Sequence, residues 1–142
     1  MPKFVIYQVL PRLFGNYNTT RKYNGNIEEN GCGKFNSFTP VALEEIRKFG
    51  ATHIWYTGIL EHATKTDYTR FGIKKDHSGV IKGNAGSPYA IKDFYDVDPD
   101  LAEDVPGRME EFEALIKRTH EAGLKAIIDF VPNHTARQYH SD

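Results

Sequence analysis

The 142-residue sequence has one cysteine, Cys32, which excludes an internal disulfide and any zinc site built on cysteine pairs. It has no excess of charge of either sign: 18 Lys and Arg face 19 Asp and Glu, a net charge of -1. The pI is about 6.6. A nucleic-acid binder carries a basic face and a raised pI, so nucleic acid is not an expected partner. No apolar run approaches the roughly 18 residues of a membrane span, so no membrane partner is expected. The start, Met1-Pro2-Lys3-Phe4-Val5, opens an apolar run that Gln8, Pro11 and Arg12 interrupt. That makes a poor signal peptide, and a cytoplasmic location is the expectation. Internal repeats and low-complexity tracts are missing as well, which excludes a solenoid. His53, His62, His77, His120 and His140 lack metal-ligand spacing. No Gly-x-Gly-x-x-Gly or P-loop follows a strand. Gly31-Cys32-Gly33 stands in a long loop, where Cys32 reads as incidental, and no organic cofactor is expected.

What remains is an ordinary globular composition, 39% hydrophobic and 26% charged, at a length that suits one domain. Aromatics are plentiful at 13%, with 9 Phe and 8 Tyr, which favours a binding cleft. Strands are expected near residues 4–10, 52–57 and 124–131, each an apolar, β-branched or aromatic run bounded by Gly or Pro. Runs apolar on both faces suit parallel strands buried on both sides, and Trp55 reads as core. A weaker extended stretch runs from Ala90 to Val97, as a short strand or as loop. Helices are expected near 40–49 and 107–122. In the first, Val41, Leu43, Ile46 and Phe49 form the apolar stripe, with Thr39 as cap, Pro40 at the first position and Gly50 as stop. In the second, Met109, Phe112, Leu115, Ile116 and Thr119 mark one face, and Glu110, Glu111 and Glu113 form a solvated one.

The order strand, helix, strand, helix, strand makes an α/β fold of parallel β-α-β units. The loops are lopsided. Residues 15–37 and 58–88 form long connections after strands, whereas the helix-to-strand turns at Gly50 and Gly123 are minimal. Long loops at the carboxyl ends of parallel strands mark the working face. The loop from Asn16 to Asn36 lacks the alternating acids of a calcium loop and reads as solvated turns.

The sharpest local signal is Asp129-Phe130-Val131-Pro132-Asn133-His134-Thr135: a carboxylate near the end of a buried strand, then an amide and an imidazole just after it. A charge on an apolar strand has to be paired or hydrogen-bonded. This segment resembles a motif of the α-amylase family of glycoside hydrolases, matching at Asp129, Asn133 and His134. Three further segments match in family order: Ile6 to Phe14, Gly50 to Thr57, and Tyr89 to Pro99 with its closing Asp98-Pro99. The resemblance implies that residues 1–142 are the N-terminal segment of the catalytic domain, the first three strands of an incomplete TIM (β/α)8 barrel. It implies that Tyr89 stacks on a sugar, that His134 hydrogen-bonds its hydroxyls, that Asn133 is a candidate calcium ligand, and that Asp129 gives structural support rather than catalysis. The sequence departs from the family at Gly58, where Pro is common, at Pro88, where Gly is usual, and at Leu101-Ala102-Glu103.

The implied activity is retaining hydrolysis of, or glucosyl transfer between, α-glucans such as starch and maltooligosaccharides. That chemistry needs two carboxyl groups about 5–5.5 Å apart. In the family these lie on later strands, so no catalytic residue is expected in this chain. The intact protein is expected to be an enzyme and the 142 residues alone inactive. Two open sheet edges would favour self-association. The competing reading is a complete, non-enzymatic α/β module that binds a carbohydrate or small ligand at its long loops.

Overall fold

The computed structural model describes residues 3–141; Met1, Pro2 and Asp142, at the ends of the expected domain, lie outside the described residues. The elements are β1 (Ile6–Val9), α1 (Ile27–Asn30), α2 (Pro40–Lys48), β2 (His53–Tyr56), β3 (Leu60–His62), β4 (Ile91–Val97), α3 (Arg108–Glu121) and β5 (Lys125–Ile128). β1, β2 and β5 form a parallel sheet with β2 in the middle. Ile54 pairs with Tyr7 on one side and Ala126 on the other, and Trp55 pairs with Gln8 and Ile127. β3 and β4 make a separate antiparallel pair, with register shifts on both sides of Glu61.

The helices begin and stop for local reasons. The Thr39 hydroxyl accepts from Ala42 N, and Pro40 opens α2 without wasting a donor. Each helix is followed by a left-handed glycine, Gly50 at φ 103° and Gly123 at φ 77°. Leu43 and Ile46 of α2 and Leu115 of α3 pack with Ile54, Tyr56 and Leu124 in the main core. Each fully buried side chain of this size stabilises the fold by about 1.5–3 kcal/mol. Phe38 links layers, stacked on Phe14 at 4.2 Å and edge-on to Tyr56 at 5.0 Å. The Tyr56 hydroxyl lies 2.6 Å from Thr119 Oγ1, and Thr119 itself donates to Leu115 O.

Several expectations are corrected. Val41 and Phe49 are 72% and 83% exposed, so the stripe of α2 is narrower than expected. Val41 stands about 160° around the helix from Leu43 and cannot share its face. Within the parallel sheet β2 is the most buried strand, with Ile54 and Tyr56 buried on one face and His53 and Trp55 half-buried on the other. Ile6 on β1 and Ile128 on β5 are 52% and 42% exposed, because each outer strand has a neighbour on one side only. Trp55 is half-buried rather than core. The stretch 90–97 is a strand, and residues 58–88 contain its partner β3. The segment 16–36 is braced rather than merely solvated: it holds α1 with a capping box from Asn26 and Glu29, and it buries Phe35 completely. Burial pushes the Cys32 thiol up to about 11, so it stays a thiol.

Candidate functional site

Parallel strands end on one side, so Leu10, Thr57 and Asp129, which follow β1, β2 and β5, stand together at that end of the sheet. Gln8 Nε2 donates to Thr57 Oγ1 at 2.9 Å. Asp129 is the hub. Its Oδ1 accepts from Trp55 Nε1 at 2.6 Å and its Oδ2 from Gly58 N at 2.8 Å. β5 stops at Ile128, so the carboxylate sits one residue beyond the strand and ties its exit to that of β2.

Gly58 joins this hub to Tyr89. It has φ +76°, and a Cβ there would stand 2.6 Å from Pro88 Cβ. Pro88 thus lies directly over Gly58 and delivers the next residue, Tyr89, to the sheet's end. The two departures at Gly58 and Pro88 compensate each other. The Tyr89 ring is 40% exposed and available to a ligand. Asn133 and His134 are exposed and joined by a 3.1 Å contact between Nδ2 and Nδ1. Among the described residues no hydrogen bond joins Tyr89 to Asp129, Asn133 or His134. They share an end of the sheet as separate contributors.

Behind this end lies a buried network that the sequence did not reveal. Asp98 and Asp100 are fully buried. Arg12 pairs with Asp100 and lies 3.5 Å from Asp98. His62 Nδ1 lies 3.3 Å from Asp98, Tyr68 donates to Asp100 at 2.7 Å, and Lys34 Nζ donates to the backbone oxygens of Asp100 and Ala102. Burial alone would raise the Asp100 carboxyl, but Arg12 and Tyr68 hold it below the ordinary range. Burial dominates at Asp98, which is raised despite His62 and Arg12. The signal was present in Asp98-Pro99-Asp100, two acids in an otherwise apolar stretch from Val97 to Ala102. A second cluster surrounds Lys92, itself buried, with Glu61 at 3.4 Å and Asp76 at 3.2 Å.

Among the described residues no group of three or more His, Cys, Asp or Glu could hold a metal ion. Asn133 offers one amide oxygen, and calcium takes six to eight oxygens. No helix among the described residues is long and apolar enough to cross a membrane.

Known sequences and structures match most of the chain. The family described as "Alpha amylase, catalytic domain" matches residues 8–141. The chain belongs to the α-amylase catalytic-domain family. Maltase A1 of Drosophila melanogaster is 32% identical over 108 residues, 76% of this chain and 14% of the relative. The amino acid transporter heavy chain SLC3A1 of Homo sapiens is 47% identical over 51 residues, 36% of this chain and 7% of the relative. An α-amylase crystal structure from Lactobacillus plantarum superposes with a TM-score of 0.65 at 29% identity, covering 96% of this chain and 24% of that one. The chain thus spans between 7% and 14% of these two curated relatives.

Proposed function

We propose that residues 1–142 form the N-terminal three strands of a (β/α)8 barrel in an enzyme that hydrolyses or transfers α-glucans with retention. The observation that carries this reading is the family match across residues 8–141, which spans Tyr89, Asp129, Asn133 and His134. In this reading Tyr89 stacks its ring on the apolar face of a sugar, and His134 hydrogen-bonds the hydroxyls. Asp129, committed to Trp55 and Gly58, is a positioning residue. The nucleophile and the acid/base carboxyl come from later strands. Exposed Ile6 and Ile128 on the outer strands, with Phe4 and Phe130 just beyond them, support an unfinished sheet that the rest of a barrel covers, and the isolated chain self-associates through them.

The test is release of reducing sugar from starch. The intact protein releases it, Tyr89→Ala and His134→Ala each weaken it, and the 142-residue chain releases none. Release by the isolated chain would sink the assignment of both carboxyls to later strands. A second reading is a non-enzymatic carbohydrate- or small-ligand-binding module. It is favoured by the likeness to a protein named as a transporter heavy chain. Glucan binding by the intact protein without release of sugar would decide for it.

A further inference from the structure

A cavity of about 820 Å³ opens between the loop after β1 and the loop between β3 and β4. It shares no lining residue with Tyr89, Asp129, Asn133 or His134. Its size falls within the roughly 300–1,000 Å³ of small-molecule sites. Asparagine side chains dominate its wall, with Asn16, Asn18, Asn24, Asn26 and Asn30 on one loop and Asn84 on the other.

The wall is built, not slack. Asn16 Nδ2 donates to Asn30 O and Asn18 Nδ2 to Glu29 O, each at 3.0 Å. Asn30 Oδ1 accepts from Lys22 N at 2.7 Å and Asn30 Nδ2 donates to Lys22 O at 2.9 Å. Asn84 Nδ2 reaches across to Asn24 O and ties the two loops together. Arg21 at φ 47° and Asn24 at φ 53° are the two non-glycine positions of positive φ among the described residues, and both line this cavity. Strain collected in one place and kept by a braced frame points to a functional wall.

Charge selects the ligand class. Arg12 is committed to Asp100, Asp67 to Lys75, and Glu29 to Lys22. Arg21, Lys65 and Glu28 remain on the lining, a mixture that favours neither a phosphate nor a divalent cation. The Asn24 side chain, Asn26 Nδ2 and Asn84 Oδ1, which the loop bracing leaves unused, stand beside these charges as donors and acceptors that match a neutral, polyhydroxylated ligand.

We propose that this cavity is a second oligosaccharide site, separate from the end of the sheet that carries Tyr89 and His134. It deepens the glucan reading given above and rests on it for the kind of saccharide. The experiment is calorimetric titration of the intact protein with a sulfur-linked maltotetraose, which resists hydrolysis. The Tyr89→Ala/His134→Ala variant still binds it. Adding Arg21→Gly/Lys65→Ala then weakens that remaining binding at least tenfold, while the melting temperature does not fall, since glycine relieves the positive φ at 21. No binding by a folded Tyr89→Ala/His134→Ala variant overturns the second site, and so does binding indifferent to Arg21→Gly/Lys65→Ala. Binding of inorganic phosphate instead overturns the neutral-ligand assignment. Failure of the glucan reading looks different: the intact protein then releases no reducing sugar from starch, whatever the calorimetry shows.

Discussion

Pro88 occupies the space that a side chain on Gly58 would need. The would-be Cβ of Gly58 stands 2.6 Å from Pro88 Cβ and 3.7 Å from Leu10 Cδ1, at φ +76°. Gly58→Ala therefore meets both backbone strain and a rigid ring, and a loss of about 3 kcal/mol in stability is expected. Urea unfolding measures it. The double variant Gly58→Ala/Pro88→Gly removes the ring and recovers part of the loss. If it recovers nothing, the two residues are not coupled.

Asp129 divides its two oxygens between Trp55 Nε1 and Gly58 N. Asp129→Asn leaves one of these donors facing an amide NH2, at about 1–3 kcal/mol. Trp55 is the single tryptophan, so its fluorescence reports this contact directly. A shifted emission maximum together with a lower melting temperature is expected. An unchanged spectrum in the folded variant would show that the indole does not depend on Asp129.

The sequence was most readable where burial follows the apolar pattern. β2 and the two long helices were visible because Ile54, Tyr56, Leu43 and Leu115 are apolar and fully buried. β3 was not, because Glu61 and His62 are as buried as its neighbours yet polar. They are tolerated only because Lys92 and Asp98 stand against them. β4 was blurred for the same reason by Lys92, Asp93 and Asp96. Asp129 stood out at the strand end because its neighbours in the chain are apolar. The Arg12 network did not, since its partners are 86 and 88 residues away in sequence. Asp98-Pro99-Asp100 marks two buried acids locally, but nothing local names the cation that pairs with them.

Arg12 is the shared cation of two carboxylates that have no access to solvent. Arg12→Ala strips it away and leaves Asp98 with His62 and the Asp100 backbone N–H, which predicts a loss of about 3–5 kcal/mol. Arg12→Lys offers one point charge where the guanidinium spreads over both acids, so it falls between wild type and alanine. Thermal unfolding of the three proteins orders them. Equal stability of the alanine variant and wild type would mean that the network contributes nothing net.

Glu61 lies under β4 with Lys92 3.4 Å away, and burial outweighs that neighbour to raise its carboxyl above the ordinary 4.5. The folded state therefore holds this proton more tightly than the unfolded chain does. The resulting stability is fully present below pH 4.5 and is lost as pH rises through the raised folded value. Above that value wild type carries a buried charge that Glu61→Gln does not. The amide can still accept from Lys92, and Lys92 keeps Asp76 at 3.2 Å. Relative to Glu61→Gln, wild type is expected to lose stability as pH rises from 4.5 through the raised folded value, as measured by urea unfolding at stepped pH. Parallel curves for the two proteins would mean that Lys92 fully offsets the burial and that Glu61 enters the fold already ionised.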